Sequence, residues 1–447
     1  MSARQGRGRA RGRERNQAAA RAPGPIGLPR LLAAPCATYA EHLARYGSLP
    51  ALRGRAERVG LIREIETSGL RGRGGGAFPT GRKLGAVADG GRAPVVVANG
   101  AEGEPASHKD SVLMSRSPHL VIDGAVVAAR AVGAETIYFV VDRADTRARD
   151  ALGRAIAERT SDMARPDAWC LVEVPSRYVA GEESALVNFV NGNDARPVTV
   201  PPRPYERGVR GRPTLVQNVE TLADVALIAR YGAPWFGSVG TTDEPGSVLT
   251  TVLGAVARPG VYEFAAGSRF ETVLDAAGGS LASVGAILVG GYFGSWLAPA
   301  DASALALAQG VLRRAGATLG CGVVVALPVE SCGVAETARV ARYLASESAG
   351  QCGPCVHGLA AVAGALEALA AGHARRGTLL DLDRWLGDVA GRGACHLPDA
   401  VVGFVRSARR VFAADFDRHE QHGACAHAHR PAVLPLPDPA TRDWSFR

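Results

Sequence analysis

Between residues 93 and 191, short apolar runs alternate with helical segments in strict order, and that alternation constrains the fold more than any other feature of the chain. Ala93 to Ala98 (APVVVA) is an apolar run, His119 to Ala134 a helical segment, and Thr136 to Val141 (TIYFVV) a β-branched and aromatic run. A charged helix over Thr146–Arg159, a strand at Ala168–Val174 and a helix opening at Gly181 follow. Strands separated by helices have to be joined by crossovers, so the order predicts an α/β domain with a parallel sheet covered by helices.

The rest of the chain follows other patterns. A stretch containing Pro197, Pro201, Pro202, Pro204 and Pro213 reads as an extended segment wrapping the sheet domain. From Ser247 the runs shorten: Val248–Val256, a turn at Arg258-Pro259-Gly260, Val261–Phe264, a short helix to Ala277, then Ala286–Val289 and Val323–Leu327. A hairpin, a helix and two further strands predict a small α+β module. From about Ala335 the pattern is helical, marked by Val340, Tyr343 and Leu344, then by Leu359, Val362, Leu366 and Leu369. Leu379, Leu382, Leu386 and Val389 mark a third helix, and Val401, Phe404, Ala408 and Val411 a fourth. Steps of three and four residues give each helix one apolar stripe, and short connections predict an antiparallel four-helix bundle. The boundaries expected are a disordered arginine-rich tail over 1–30, an α/β domain over 31–240, the small module over 247–330 and the bundle over 335–430.

In such a bundle the first and third connections lie at the same end. Cys352 and Cys355 sit on the first and Cys395 on the third, so three thiols distant in sequence should meet at one pole. Cys332 precedes the first helix and so lies about 13 residues, roughly 20 Å, from that pole, and Cys425 follows the fourth helix, so both should lie at the other end. Convergent thiols in a long intracellular chain suggest metal or redox chemistry before disulfides. A thioredoxin-like reading of Cys352-Gly353-Pro354-Cys355 would need a preceding strand, and a helix precedes it instead. The Cys/His-rich stretch with His419, His422, Cys425, His427 and His429 reads as a solvated terminus, with a metal site the lesser alternative.

Charge excludes one class of function. The chain of 447 residues has a formal charge of +8, but its first 25 residues hold Arg4, Arg7, Arg9, Arg11, Arg13, Arg15 and Arg21 against Glu14. The body is therefore close to neutral, which argues against a nucleic-acid partner. Lys83 and Lys109 are the only lysines among 51 basic residues. No apolar stretch of about 18 residues or more lacks charge or strong polarity, and no apolar signal region follows the basic N-terminus, so a cytoplasmic location is expected.

Three motifs are candidates for ligand binding. Gly72 to Gly81 (GRGGGAFPTG) is a glycine-rich loop followed by Lys83, in which backbone N–H groups can approach a phosphate. Asn99 to Pro105 (NGAEGEP) directly follows a strand, where ligands sit in open α/β sheets, and its carboxylates suit ribose or ribityl hydroxyls. Tyr178 to Ser184 (YVAGEES) repeats the theme at a second strand-to-helix junction.

Together with GRPTLVQNVETLA (211–223), GAVARPGVYE (254–263), ESAGQCGPC (347–355) and GACHLPDA (393–400), these segments resemble the NADH-binding flavoprotein of respiratory complex I, its F subunit. They are also similar to its relatives in soluble NAD-linked hydrogenases and formate dehydrogenases. Seven collinear matches between Leu61 and Cys425 argue against coincidence. The resemblance implies a Rossmann-like FMN domain, a β-grasp soluble-ligand-binding module and a helical bundle with a 4Fe–4S cluster. It implies hydride transfer from NADH to FMN, with no catalytic side chain, then single-electron transfer to the cluster. By motif position the FMN contacts would be Gly72, Arg73, Gly74 and Lys83, then Asn99 and Glu102, then Tyr178, Gly181, Glu182 and Glu183, then Asn218 and Thr221. Phe78, Glu104 and Glu183 would face NADH, and Cys352, Cys355 and Cys395 would hold the cluster. The implied partner is an electron-accepting or electron-donating protein, ferredoxin-like or similar to the E subunit of complex I, with peripheral association with a membrane complex possible.

The departures are specific. Ala349 stands where the family has the first cluster cysteine. The fourth ligand would be Ser348, His357 or His396, or the cluster would be a 3Fe–4S type. Ala101 replaces an aspartate of the FMN motif, and Leu84-Gly85-Ala86 lacks a second aromatic after the glycine loop. Val200-Pro201-Pro202-Arg203 replaces Lys-Pro-Pro-Phe, which leaves NADPH or reduced ferredoxin open as donor. A non-catalytic binding protein within a complex is the remaining alternative.

Overall fold

The computed structural model describes residues 26–447 apart from 53, 162, 164, 441, 442 and 444. The seven tail arginines lie outside the described residues. Strands β1 (Val95–Gly100), β2 (Thr136–Asp142), β3 (Trp169–Val174) and β4 (Thr214–Asn218) form a parallel sheet in the order β3-β2-β1-β4. A parallel sheet buried on both faces needs apolar residues on both, and β1 supplies them. Val96 and Ala98 belong to one core, and Val95 and Val97 to the other. The sequence reading missed β4, which is five residues long and directly follows the proline-rich segment.

On one face the helices Pro118–Val132 and Val219–Tyr231 touch so closely that a Cβ on Gly124 would lie 1.9 Å from the Leu222 carbonyl oxygen. Asp123, beside that contact, is buried among His42, Arg159 and Arg230. It lies 2.6 Å from His42 Nε2 and 2.8 Å from Arg159 Nη1, and it also accepts from Arg230. Burial opposes its charge, but His42, Arg230 and Arg159 outweigh burial and hold the carboxyl well below the usual range.

Strands β5 (Ser247–Gly254), β6 (Gly260–Ala265), β7 (Val284–Val289), β8 (Ser295–Leu297) and β9 (Val323–Pro328) form a mixed sheet in the order β6-β5-β9-β7-β8. Here β5 and β9 are parallel and the other neighbours antiparallel. The three-residue β8 was not expected.

In the C-terminal part, Gly333–Ser346 packs against Ala360–Ala370 and Leu397–Val411, and Thr378–Val389 packs against the same two. The expected stripes are buried, including Val362, Leu366, Leu382, Leu386, Val401 and Phe404. The expected count of four is corrected to five, because Ala413–His422 is also helical and buries only Phe416 and His419. A π-helical turn at Pro354–Leu359 leads into the second helix.

The tail boundary at 30 is also corrected. Arg30 is 2% exposed. Its guanidinium donates to the Phe236 carbonyl at 3.0 Å and to Ser238 Oγ at 2.8 Å, and Glu263 accepts the N–H groups of Arg30, Leu31 and Leu32.

Asp123→Ala would leave buried cations without their anion, which costs about 3 to 5 kcal/mol in comparable cases. The denaturant midpoint should fall accordingly, and a change below about 1 kcal/mol would contradict this packing role. The folded pKa is depressed, so the contribution is present above the usual carboxylate value of about 3.9 and is lost as pH falls below it.

Candidate functional site

The chain leaves β1 toward β2 on one side and returns to β4 on the other. Connections leaving the ends of these neighbouring strands diverge, and a crevice opens beyond Gly100 and Asn218. It forms a cavity of about 560 Å³. The glycine loop, the loop after β1 and the loop after β3 make three walls, and Gly290, Phe293 and Thr318 of the second sheet's module close a fourth side.

Each wall is held from behind. In the glycine loop, Gly72 N–H donates to the Phe78 carbonyl at 2.9 Å, and Arg73 N–H donates to Thr221 Oγ1 at 2.8 Å. The Arg73 guanidinium donates to the Ser247 carbonyl at 2.9 Å, facing buried Asp224 at 3.9 Å. After β1, Asn99 donates to the Gly181 carbonyl at 2.9 Å, which clamps two walls together. A Cβ on Gly181 would lie 2.9 Å from the Ala101 carbonyl oxygen, so the clamp requires glycine. Glu182 caps the helix Glu183–Val190 by accepting the N–H groups of Ser184 and Ala185, each at 3.0 Å.

Below the cavity lies Lys109, 1% exposed. It pairs with Asp110 at 2.7 Å and Glu220 at 2.9 Å and donates to Asn218 Oδ1 at 3.4 Å. Burial works against its charge, but Asp110, Glu220 and Glu102 outweigh it and raise its pKa. Glu102 accepts the N–H groups of Asp110 and Ser111 and the Ser107 hydroxyl. Glu104 accepts from Tyr178 Oη at 2.8 Å, Tyr292 N–H at 2.7 Å and Ala106 N–H at 3.2 Å. The Tyr178 ring packs against Phe293 with centroids 4.6 Å apart.

Of the twelve predicted flavin contacts, Arg73, Gly74, Asn99, Glu102, Tyr178, Gly181, Glu182 and Asn218 line the cavity. Gly72 and Thr221 stand behind it and shape the loop, while Lys83 and Glu183 pair with each other at 3.0 Å. Of the predicted NADH residues, Glu104 lines the cavity with its oxygens engaged, whereas Phe78 is 56% exposed and outside the lining. The predicted site set omitted Lys109, Asp110 and Cys321, which also line the cavity. For Lys109 the signal was available, since it is one of only two lysines.

The three predicted cluster thiols are brought together. Burial pushes the Cys355 thiol up to about 12, with Cys352 and Cys395 adding to the rise and Ser348 opposing it. Burial also raises Cys395, and Glu182 of the cavity wall contributes. Cys395, His396, Leu397, Asp399 and Ala400 line the flavin-sized cavity, so thiols and cavity share a wall. A three-thiol pole with Cys355 buried and Cys352 and Cys395 half-buried suits an iron–sulfur cluster, whose cage spreads its ligands wider than a single ion does. The solvated reading of 419–429 is corrected in part, since His419 is 1% exposed.

Burial pushes Glu104 up to about 7, and burial with Asp110 does the same to Glu102. Each folded carboxyl holds its proton beyond the unfolded value of about 4.3, so stability should fall as pH rises between these values. Glu104→Gln should flatten the fall in denaturant midpoint between about pH 5 and pH 7. An unchanged slope would contradict a buried, protonating Glu104.

Comparison with known proteins agrees with this geometry. The Nuo51 FMN-binding domain matches residues 65–227, an SLBB domain 249–283, and the NADH-ubiquinone oxidoreductase-F iron-sulfur binding region 335–419. NADH-quinone oxidoreductase F subunit 2 of Rhizobium meliloti is 33% identical over 378 residues, covering 82% of this chain and 90% of the relative. The NADH-quinone oxidoreductase F subunit of Mycobacterium bovis is 30% identical over 425 residues, covering 89% and 93%. Among solved structures, an NAD+-reducing NiFe hydrogenase in its H2-reduced state superposes with a TM-score of 0.75 at 32% identity. That match covers 82% of this chain and 64% of the hydrogenase chain. With the FMN-binding and iron-sulfur binding regions matched in chain order and relatives 30–33% identical over most of its length, the chain belongs to the family of NADH-quinone oxidoreductase F subunits.

Proposed function

We propose that the chain is the flavoprotein component of an NADH dehydrogenase, taking electrons from NADH through FMN to an iron–sulfur cluster and on to a protein partner. The observation that carries this reading is the shared wall, in which Cys395 and Glu182 line one cavity. Residues 31–240 then act as a Rossmann-like FMN domain, 247–330 as a β-grasp module and 335–430 as a bundle carrying the cluster. FMN, when bound, accepts two electrons as hydride and returns them one at a time.

The side chains do the holding. Gly74, Gly75 and Gly76 line the cavity, where backbone N–H groups of the loop would serve a phosphate. Glu102 and Asn99 are placed for ribityl hydroxyls, because a carboxylate oxygen that accepts one N–H keeps a second lone pair. Phe293 and the Tyr178 ring give a planar group an apolar face. Lys109 is fully neutralised by its carboxylates, so it positions Asn218 and does not bind phosphate directly. Cys352, Cys355 and Cys395 would hold the iron, and with Ala349 in the missing position the cluster would be a 3Fe–4S type or take Ser348, His357 or His396. The partner is an electron-transfer protein, ferredoxin-like or similar to the E subunit of complex I, and the site of action is the cytoplasm. Among the described residues no helix is long and apolar enough to cross a membrane.

Protein prepared without oxygen should carry flavin and iron absorbance, and NADH should bleach the flavin. Bleaching by NADPH or reduced ferredoxin in place of NADH would reassign the donor, and a colourless folded protein would reject the reading. Cys355→Ala should lose iron and keep flavin, whereas Cys332→Ala should keep both; equal iron loss in the two variants would refute the three-thiol pole.

A further inference from the structure

We infer that Cys332, His419 and Cys425 form a second metal site, separate from the cluster thiols, which binds one zinc ion and fastens the C-terminal segment to the rest of the chain. Cys332 Sγ, His419 and Cys425 Sγ offer ligand atoms that all lie within 4.8 Å of one another. This is the one such group of His, Cys, Asp or Glu among the described residues. Nothing in the flavin reading uses it, and the inference does not depend on that reading.

The geometry is that of a single ion. A tetrahedral zinc with bonds of about 2.3 Å to sulfur and about 2.0 Å to nitrogen places those two ligands roughly 3.5 Å apart. Cys332 Sγ and His419 Nε2 are 3.6 Å apart. His419 is oriented as metal-binding histidines are: Nδ1 lies 2.9 Å from the Leu369 carbonyl oxygen, which keeps the proton on Nδ1 and leaves Nε2 as the acceptor on the thiol side, where it takes Cys425 N–H at 3.3 Å and a zinc ion would replace that donor. Cys332 caps the helix Gly333–Ser346 and accepts Ala335 N–H at 3.4 Å, which fixes its sulfur at the helix N-terminus. Cys332 and His419 are buried and Cys425 is half-buried. That leaves a coordination position toward solvent for water or for exposed His427.

The donor set selects the ion. Two thiolates and an imidazole favour zinc over magnesium or calcium, which prefer oxygen. The two thiols lose their protons on binding, and their charges neutralise the dication. A hydrogen-bonded Cys–His pair would need no second thiol, yet the chain turns back after Gly423 and brings Cys425 Sγ within 4.8 Å of both other ligand atoms.

What the ion fastens is visible beyond Cys425. Glu336, one turn into the helix that Cys332 caps, accepts the N–H groups of Val433 at 2.9 Å and Leu434 at 3.1 Å. The chain then crosses to the α/β domain, where Ala195 N–H donates to the Phe446 carbonyl at 2.6 Å. The Phe446 ring lies 4.1 Å from the guanidinium carbon of Arg177, the residue before cavity-lining Tyr178. The site therefore anchors the base of a strap whose far end braces the flavin-cavity wall.

The test is metal analysis of the full chain expressed in zinc-supplemented medium. The expected result is about one zinc per chain in addition to iron. Cys332→Ser and Cys425→Ser should each lose most of the zinc while iron and flavin stay, and Cys355→Ala should do the reverse. Cobalt exchanged for zinc should give a thiolate charge-transfer band that disappears in Cys425→Ser. Because Cys425 is half-buried, that variant keeps the test valid even where a substitution of His419 fails to fold. Zinc removal should also speed proteolytic trimming of the strap. Absence of zinc from the wild-type chain, zinc retained in both cysteine variants, or a Cys332–Cys425 disulfide in its place would overturn the proposal.

Discussion

One buried cation joins the parts on which the site depends. Lys109 lies under the cavity and reaches Asp110 on its own helix, Asn218 at the end of β4 and Glu220 in the first turn of the following helix. The other oxygen of Glu220 accepts the N–H of Leu249 in β5 at 2.9 Å. A single ammonium group thus ties β4, the helix after β1 and the second sheet to one another. A compact point charge with three donors can serve three acceptors converging from different directions, which a planar guanidinium does poorly. In a chain that uses arginine almost everywhere else, this explains a lysine here.

That tie sets the shape of the cavity. With β1 and β4 fixed side by side, the loops after β1 and β3 can be clamped by Asn99 and Gly181, and Glu182 at the end of the clamp faces the loop carrying Cys395. Electron transfer needs two redox groups held close and shielded from water, and one wall contributed jointly by the α/β domain and the helical domain meets that need. Ala349 stands at the cluster end of this path, outside the cavity lining. The bottom of the cavity is also stiffened from the outside, because the C-terminal strap packs Phe446 against Arg177 next to Tyr178.

Much of this was legible in the sequence, for physical reasons. The parallel sheet followed from β-branched runs at regular spacing, and the thiol pole from helix stripes that fix which connections share an end. The same geometry placed Cys332 and Cys425 together at the opposite end. It could not show His419 turning inward, because Ala413–His422 buries only two residues and has the composition of a solvated segment. Strand β4 was missed because a five-residue run beside prolines carries little periodic signal. Phe78 was expected to face the nucleotide, yet motif position does not reveal which way a side chain points, and here it lies outside the cavity lining. Glu104 was legible as a site residue but not as a brace, since its three donors come from distant segments.

The central claim is that the cavity and the thiol pole form one electron path. Its most direct test is rapid-freeze EPR on anaerobic protein mixed with NADH, comparing the wild type with Cys395→Ala. The account expects flavin bleaching in both proteins, followed in the wild type alone by the signal of a reduced cluster. A wild-type cluster that stays oxidised after the flavin is reduced, or one that is reduced without the flavin changing, would contradict it.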